Sequence, residues 1–216
     1  MQLLDKNQLN LAKVDNNFFP YFHVENALSH FLNSSDLVKD FPDIDSGGSF
    51  PSDILKEGDI KKLVDELEGD EFKAILENKL GVNLKDSEVI TTLRGYSRFK
   101  DGKIHTDSQS KIVTVLLYLN KNWDNEIGNL RLLKKNNDLD NYIQEISSEY
   151  GNLVAFKVTD NCWHGFMPFE GKRLSIQLNY IHPKSLNMHK IRHKLSASFK
   201  KLISGSSVDG MVTQTV

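Results

Sequence analysis

Two hydrophobic periods divide this chain near Val89. Before it, apolar residues recur at the spacing of three and four that lines one face of a helix. Ile60, Leu63, Val64 and Leu67 make one stripe, Gly69-Asp70 interrupts it, and Phe72, Ile75, Leu76 and Leu80 make a second that ends at Gly81. The pattern predicts two packed helices covering one face of a sheet. Upstream, Phe18-Phe19-Pro20-Tyr21-Phe22 predicts a strand, leading into a short helix that carries Ala27, Leu28, Phe31 and Leu32. Residues 40 to 53 hold Pro42, Gly47, Gly48 and Pro51 among several Ser and Asp, and so predict a loop that either lies over a site or is merely exposed.

After Val89 the period shortens to that of strands. Ile112 to Leu119 is a dense apolar run closed by Asn120-Lys121-Asn122, predicting a strand covered on both faces. Val113, Val115, Leu117 and Leu119 share one face, while Thr114, Leu116 and Tyr118 share the other. Leu130 to Leu133 and Leu153 to Val158 predict shorter strands, and the polar residues 134 to 152 between them predict a solvent-exposed connection. After the turn at Glu170-Gly171, Leu174, Ile176 and Leu178 alternate with Arg173, Ser175, Gln177 and Asn179, giving a strand with one apolar and one polar face. Met188, Ile191, Leu195, Phe199 and Leu202 then predict a C-terminal helix over about 185–203, followed by a mobile tail over 205–216. That helix is locally basic, through Lys190, Arg192, Lys194, Lys200 and Lys201. Its default role is a solvated face, with docking to an acidic or RNA-bound partner the minority reading. His189 and His193 stand at the i, i+4 spacing of a metal grip but have no third ligand nearby in sequence.

Composition narrows the setting. At 216 residues with 39% hydrophobic content, the chain suffices for one sizeable core, so residues 1–204 are read as a single domain with N-terminal supporting helices over about 24–81 and a core over about 89–181. The formal charge of -2 offers no overall electrostatic reason to expect nucleic acid or an anionic membrane as partner. A single cysteine, Cys162, excludes an intramolecular disulfide and fits a reducing compartment. No apolar run approaches the roughly 20 residues of a membrane span, and Asp5, Lys6 and Asn7 break any signal-peptide pattern, so the expected location is cytoplasmic. Oligomeric state leaves no mark in the sequence.

The candidate chemistry lies in His105-Thr106-Asp107, His164 and Arg173. On a strand His105 and Asp107 would point the same way, offering two ligands to one side of a metal. His164 from a distant strand would complete the two-histidine, one-carboxylate facial triad that holds non-haem Fe(II) and leaves three positions open. Arg173 follows nine residues after His164, so a hairpin can bring its planar fork of donors to the same cavity, matched to a carboxylate, with the Ser175 hydroxyl on the same face. A lone His-x-Asp is more often a surface pair; it is the joint placement of His164 and Arg173 that lifts this one. Cys162 reads as a small packed residue, and Trp123 as packing after the strand.

These pieces, in this order, resemble the 2-oxoglutarate and Fe(II)-dependent dioxygenases, in particular the prolyl-hydroxylase-like branch. The matching segments are Gly95-Tyr96, His105-Thr106-Asp107, Leu117 to Trp123, Gly128-Asn129-Leu130, His164-Gly165 and Arg173-Leu174-Ser175, over roughly residues 92 to 181. The resemblance implies a mainly β fold with flanking helices (α+β) around a double-stranded β-helix core, a jelly-roll or cupin-like pair of sheets. It implies His105, Asp107 and His164 as iron ligands, Arg173 as partner of the distal carboxylate of 2-oxoglutarate, Ser175 as the serine of an Arg-x-Ser motif, Tyr118 and Tyr96 as hydroxyls meeting the same cosubstrate, and Leu116 as lining its pocket. It also implies O2 as co-reactant, succinate and CO2 as products, ascorbate as a candidate reductant, and hydroxylation of an aliphatic C–H bond in a peptidyl proline, a free amino acid or another small molecule. Asp107 stands where a halogenating enzyme would have Gly or Ala. Asn129 and Arg131 depart from the family's usual second glycine and acidic residue, which bears on the substrate-facing rim. The competing reading is a β-helix protein that binds without turnover, or that holds another metal.

Overall fold

The computed structural model describes residues 2–30 and 34–183. The short first helix α1 (Lys6–Leu11) is followed by β1 (Val14–Asp15), β2 (Tyr21–Val24), α2 (Ser34–Lys39) and β3 (Phe50–Pro51). Two longer helices, α3 (Asp59–Glu68) and α4 (Asp70–Leu80), follow at the predicted stripes. The strands β4 (Glu88–Ser97), β5 (Lys111–Tyr118), β6 (Leu130–Leu133), β7 (Tyr142–Ile146), β8 (Leu153–Lys157), β9 (His164–Gly165) and β10 (Gly171–Ile181) complete the chain to its last described residues. The predicted C-terminal helix and tail, with His189 and His193, lie outside the described residues, as do Phe31 and Leu32. Among the described residues no helix is long and apolar enough to cross a membrane.

Seven strands form one sheet in the order β1-β2-β8-β5-β10-β4-β3, and three form a second in the order β7-β6-β9, all pairs being antiparallel. The alternation read from sequence sets the two faces of the large sheet. Val113, Val115, Leu117, Ile176 and Leu178 belong to one buried cluster with Ile60, Leu63, Val64 and Leu67 of α3 and Phe72, Ile75, Leu76 and Leu80 of α4. That helical layer buries the large sheet's outer face, and such burial contributes about 1.5–3 kcal/mol per large aliphatic side chain. The other face meets the small sheet through a second cluster that includes Tyr118, Leu130, Leu132, Ile146, Phe156 and Cys162. Two sheets with a polar-lined gap between them make the double-stranded β-helix, with 33% strand and 20% helix among the described residues.

Three local expectations change. The helix expected from Ala27 does not begin there: Ala27 N–H donates to Gly151 O at 2.9 Å, Ser29 N–H to Leu3 O at 2.8 Å, and Leu28 bridges Leu4. Those backbone groups are bound to other segments and so cannot close helical turns; the helix starts at Ser34 instead. The strand expected at Phe18 begins only at Tyr21, where pairing with β8 begins at Phe156. The polar stretch 134–152 is not simply a solvated loop, because Tyr142 to Ile146 pairs with β6 as an edge strand and buries Ile146. Polar residues on an edge strand's outer positions hid its alternation. The loop over residues 40–53 does lie against the core: Gly47 bridges Tyr96 and β3 pairs with β4.

Candidate active site

β5 and β10 lie side by side, with Ser175 opposite Tyr118 and Gln177 opposite Leu116. Paired residues share a face, so Tyr118, Leu116 and Thr114 from β5 and Ser175 and Gln177 from β10 line one cavity of about 410 Å³, together with Arg173, His105, Asp107 and His164.

His105 and Asp107 are not on a strand ladder as the sequence suggested. The segment is an open loop pinned at one point, where His105 and His164 form an isolated antiparallel bridge with two backbone hydrogen bonds of 3.0 Å. That bridge sets the rings side by side, 4.3 Å apart at their centroids. His105, Asp107 and His164 each offer a ligand atom within 4.8 Å of the others. His105 Nδ1 lies 2.8 Å from Lys103 O, and His164 Nδ1 lies 2.8 Å from Cys162 O. A carbonyl oxygen only accepts, so each Nδ1 carries a proton and Nε2 is the atom turned towards a metal, the arrangement found around ligating histidines. Cys162 is a buried packed residue whose carbonyl, rather than thiol, serves the site.

Burial, joined by the neighbouring His105, pushes the His164 imidazole down to about 4, so it is neutral at pH 7. For Asp107 burial works upward, but the Lys111 ammonium, His164 and the hydrogen bonds from Lys111 and Thr114 outweigh it and hold the carboxyl below its usual range. Lys111 Nζ stands 2.6 Å from Asp107 Oδ1, and Thr114 Oγ1 donates to Oδ2 at 2.5 Å. Each carboxylate oxygen accepts at more than one site, so Asp107 can hold these partners and still face a metal. Two imidazoles, an ionised carboxylate and mixed N/O donors suit a non-haem Fe(II) ion.

At the other end of the cavity Arg173 is 5% exposed. Its Nε donates to Gly128 O at 2.8 Å and Ser148 Oγ at 3.1 Å, its Nη2 to Tyr118 Oη at 3.3 Å, and the guanidinium lies 4.3 Å from the Phe166 ring centroid. No carboxylate among the described residues pairs with it, and the buried Ser175 Oγ beside it has no hydrogen-bond partner. Buried polar groups are normally satisfied; a guanidinium and an unpaired hydroxyl facing one cavity suit an anionic ligand.

Of the residues singled out from sequence, His105, Asp107, His164, Arg173, Ser175, Tyr118 and Leu116 meet at this cavity. Tyr96 does not. The register between β4 and β10 slips between Lys172 and Ser175, leaving Tyr96 opposite Lys172 with its hydroxyl 3.5 Å from exposed Glu170 Oε1. Arg94, opposite Ser175, is the β4 residue that faces the cavity. Sequence reasoning missed Arg94 and Lys111; a lone arginine in the otherwise uncharged run from Val89 to Tyr96 was the available signal. Asn129 and Arg131 are structural: Asn129 Oδ1 accepts from Trp123 Nε1 at 2.7 Å, and Arg131 pairs with Asp140 at 2.7 Å and Glu145 at 3.0 Å.

The family description that matches, over residues 92–181, is that of the 2OG-Fe(II) oxygenase superfamily. No curated protein matches the chain. Among solved structures, a prolyl hydroxylase from Trichoplax adhaerens in complex with a hypoxia inducible factor peptide fragment is similar over 84% of this chain and 89% of that one, at 21% identity and a TM-score of 0.50. A prolyl 4-hydroxylase from Phytophthora capsici is similar over 76% of this chain and 59% of that one, at 16% identity and a TM-score of 0.51. A Pseudomonas putida prolyl-4-hydroxylase is similar over 52% of this chain and 61% of that one, at 22% identity and a TM-score of 0.43. The chain therefore spans about three fifths of the Phytophthora and Pseudomonas chains. Residues 92–181 thus resemble the 2OG-Fe(II) oxygenase superfamily, and the chain shares the double-stranded β-helix fold of these solved prolyl hydroxylases.

Proposed function

We propose that the protein is an Fe(II)- and 2-oxoglutarate-dependent hydroxylase of an aliphatic C–H bond, in a prolyl residue or a related amino-acid substrate. The reading rests on one observation: two imidazoles and a carboxylate with ligand atoms within 4.8 Å, in the same cavity as a buried guanidinium that no carboxylate among the described residues pairs with. His105, Asp107 and His164 would hold the iron. Arg173, the Tyr118 hydroxyl and the unpaired Ser175 hydroxyl would seat the distal carboxylate of 2-oxoglutarate, with Leu116 against its carbon chain. When bound, iron and 2-oxo acid supply the oxidising step, in which O2 gives one atom to succinate, formed with CO2, and the other to the substrate's C–H bond. The protein's own task is to hold Asp107 ionised and His164 neutral, and to keep bulk water from the Arg173 end. Ascorbate is the reductant to include in assays. The prolyl preference rests on the fold shared with prolyl hydroxylases, and a cytoplasmic setting on the one buried free thiol, Cys162.

One observation favours the non-catalytic alternative, or another metal: Lys111 already neutralises Asp107 at 2.6 Å. Spectroscopy separates the two. Anaerobic Fe(II) with 2-oxoglutarate should give the weak charge-transfer band of a chelated 2-oxo acid. Adding O2 with free proline, prolyl peptides or lysate should release succinate above the uncoupled background, with a gain of one oxygen in the product. Arg173→Ala should weaken 2-oxoglutarate binding while sparing iron. A wild-type protein that gives neither band nor succinate is a binding protein.

A further inference from the structure

Arg94 is the second guanidinium in this cavity, and the cosubstrate's needs do not explain it. A row of paired residues runs across three strands, Tyr118 on β5, Ser175 on β10 and Arg94 on β4. The last of these faces the cavity beyond Ser175, on the side away from Tyr118. Among the described residues Arg94 is held by one hydrogen bond, from its Nε to Ser49 Oγ at 3.1 Å. No carboxylate among the described residues pairs with it; Asp101, whose charge acts on it, is bound to Arg98 at 2.9 Å. Burial and the facing Arg173 both press on its charge, a cost that a bound anion would offset.

The wall as a whole points the same way. Arg94, Lys100, Lys103, Lys111 and Arg173 face it, against Asp101 and Asp107. An Fe(II) ion and the 2-oxoglutarate dianion cancel one another, so the excess of cations persists after both are loaded. Arg173 with the Tyr118 and Ser175 hydroxyls already suffices for the two oxygens of one carboxylate, which leaves the Arg94 fork for another.

We propose that Arg94 binds a carboxylate of the molecule to be oxidised, so that the substrate is a small free acid, such as an amino acid with an unblocked α-carboxylate, rather than the interior of a peptide. This rests on the oxygenase reading for the share of the cavity given to 2-oxoglutarate. A cavity of about 410 Å³ that also admits the cosubstrate leaves room for a small molecule.

The test is calorimetric titration with matched pairs, each of the free amino acids and simple hydroxy acids against its primary amide, in wild type, Arg94→Gln and Arg94→Lys. The full chain is used, with and without Fe(II) and 2-oxoglutarate under anaerobic conditions. At least one acid should bind wild type tenfold or more tightly than its amide. Arg94→Gln should close that gap, with 2-oxoglutarate affinity kept within twofold, and Arg94→Lys, which preserves a long cationic side chain should glutamine unfold the sheet, should retain part of it. The proposal is overturned if no acid outbinds its amide, if both variants leave the gap intact, or if Arg94→Gln weakens 2-oxoglutarate as much as Arg173→Ala does. Failure of wild type to bind 2-oxoglutarate would instead sink the oxygenase reading, while the acid-amide comparison without metal still reports on Arg94.

Discussion

Asp107 is gripped from two sides, by Lys111 on Oδ1 and Thr114 on Oδ2, and Thr114 Oγ1 also lies 3.1 Å from Asn179 Oδ1. The threonine thus links the loop that carries this candidate metal ligand to the two central strands β5 and β10. Thr114→Val keeps the shape and removes the hydroxyl, freeing the carboxylate to rotate. Metal affinity should fall roughly 10- to 100-fold, the range for such supporting bonds, as read by Fe(II) or Zn(II) titration. Unchanged affinity would mean that Lys111 alone orients Asp107. Register likewise separates Tyr96 from Arg94: Arg94 pairs opposite Ser175 and lines the cavity, whereas Tyr96 pairs opposite Lys172.

The loop between β4 and β5 presents the candidate ligands His105 and Asp107 without regular structure, and its geometry is set by a few tight spots. Gly102 has φ of +82°, and a Cβ there would meet the Phe166 ring at 2.5 Å. Phe166 in turn stacks on Arg173 at 4.3 Å. Gly102→Ala should therefore cost about 1–2 kcal/mol for the left-handed backbone and, by displacing the ring, weaken 2-oxoglutarate binding several-fold. Gly81→Ala is the matched control, since α4 ends there at φ of +60° with nothing within 4 Å of the added carbon. It should lower the melting temperature similarly and leave 2-oxoglutarate binding alone. If both variants bind it equally well, the ring does not shape the Arg173 end.

At the scale of the whole molecule, the site sits between two sheets whose packing keeps His164 dry, and that burial carries a pH signature. An unfolded histidine takes its proton near pH 6.5, the folded one near 4, so between those values the unfolded chain binds more protons. The stabilisation is fully present above pH 6.5 and is lost as pH falls towards 4, an amount on the order of 3 kcal/mol. The depressed Asp107 carboxyl adds a further loss in the same direction at lower pH. Melts of the metal-free protein from pH 7 to 4 should show this decline, and His164→Gln should flatten it; parallel curves would mean that the imidazole is not held neutral by the fold. What the sequence alone determined was whatever repeats along a strand or helix, the α3 and α4 stripes and the two faces of β5 and β10, because periodicity records which side chains share a face. What only the tertiary structure decided depends on partners far away in the chain. Backbone bonding by Leu3 and Gly151 kept Ala27 and Leu28 from starting a helix, β6 made a strand of a polar segment, and a one-residue slip against β10 turned Tyr96 to the rim while Arg94 faced the cavity. A local pattern does not encode pairing register between distant strands, and register is what sets which polar groups meet in the cavity.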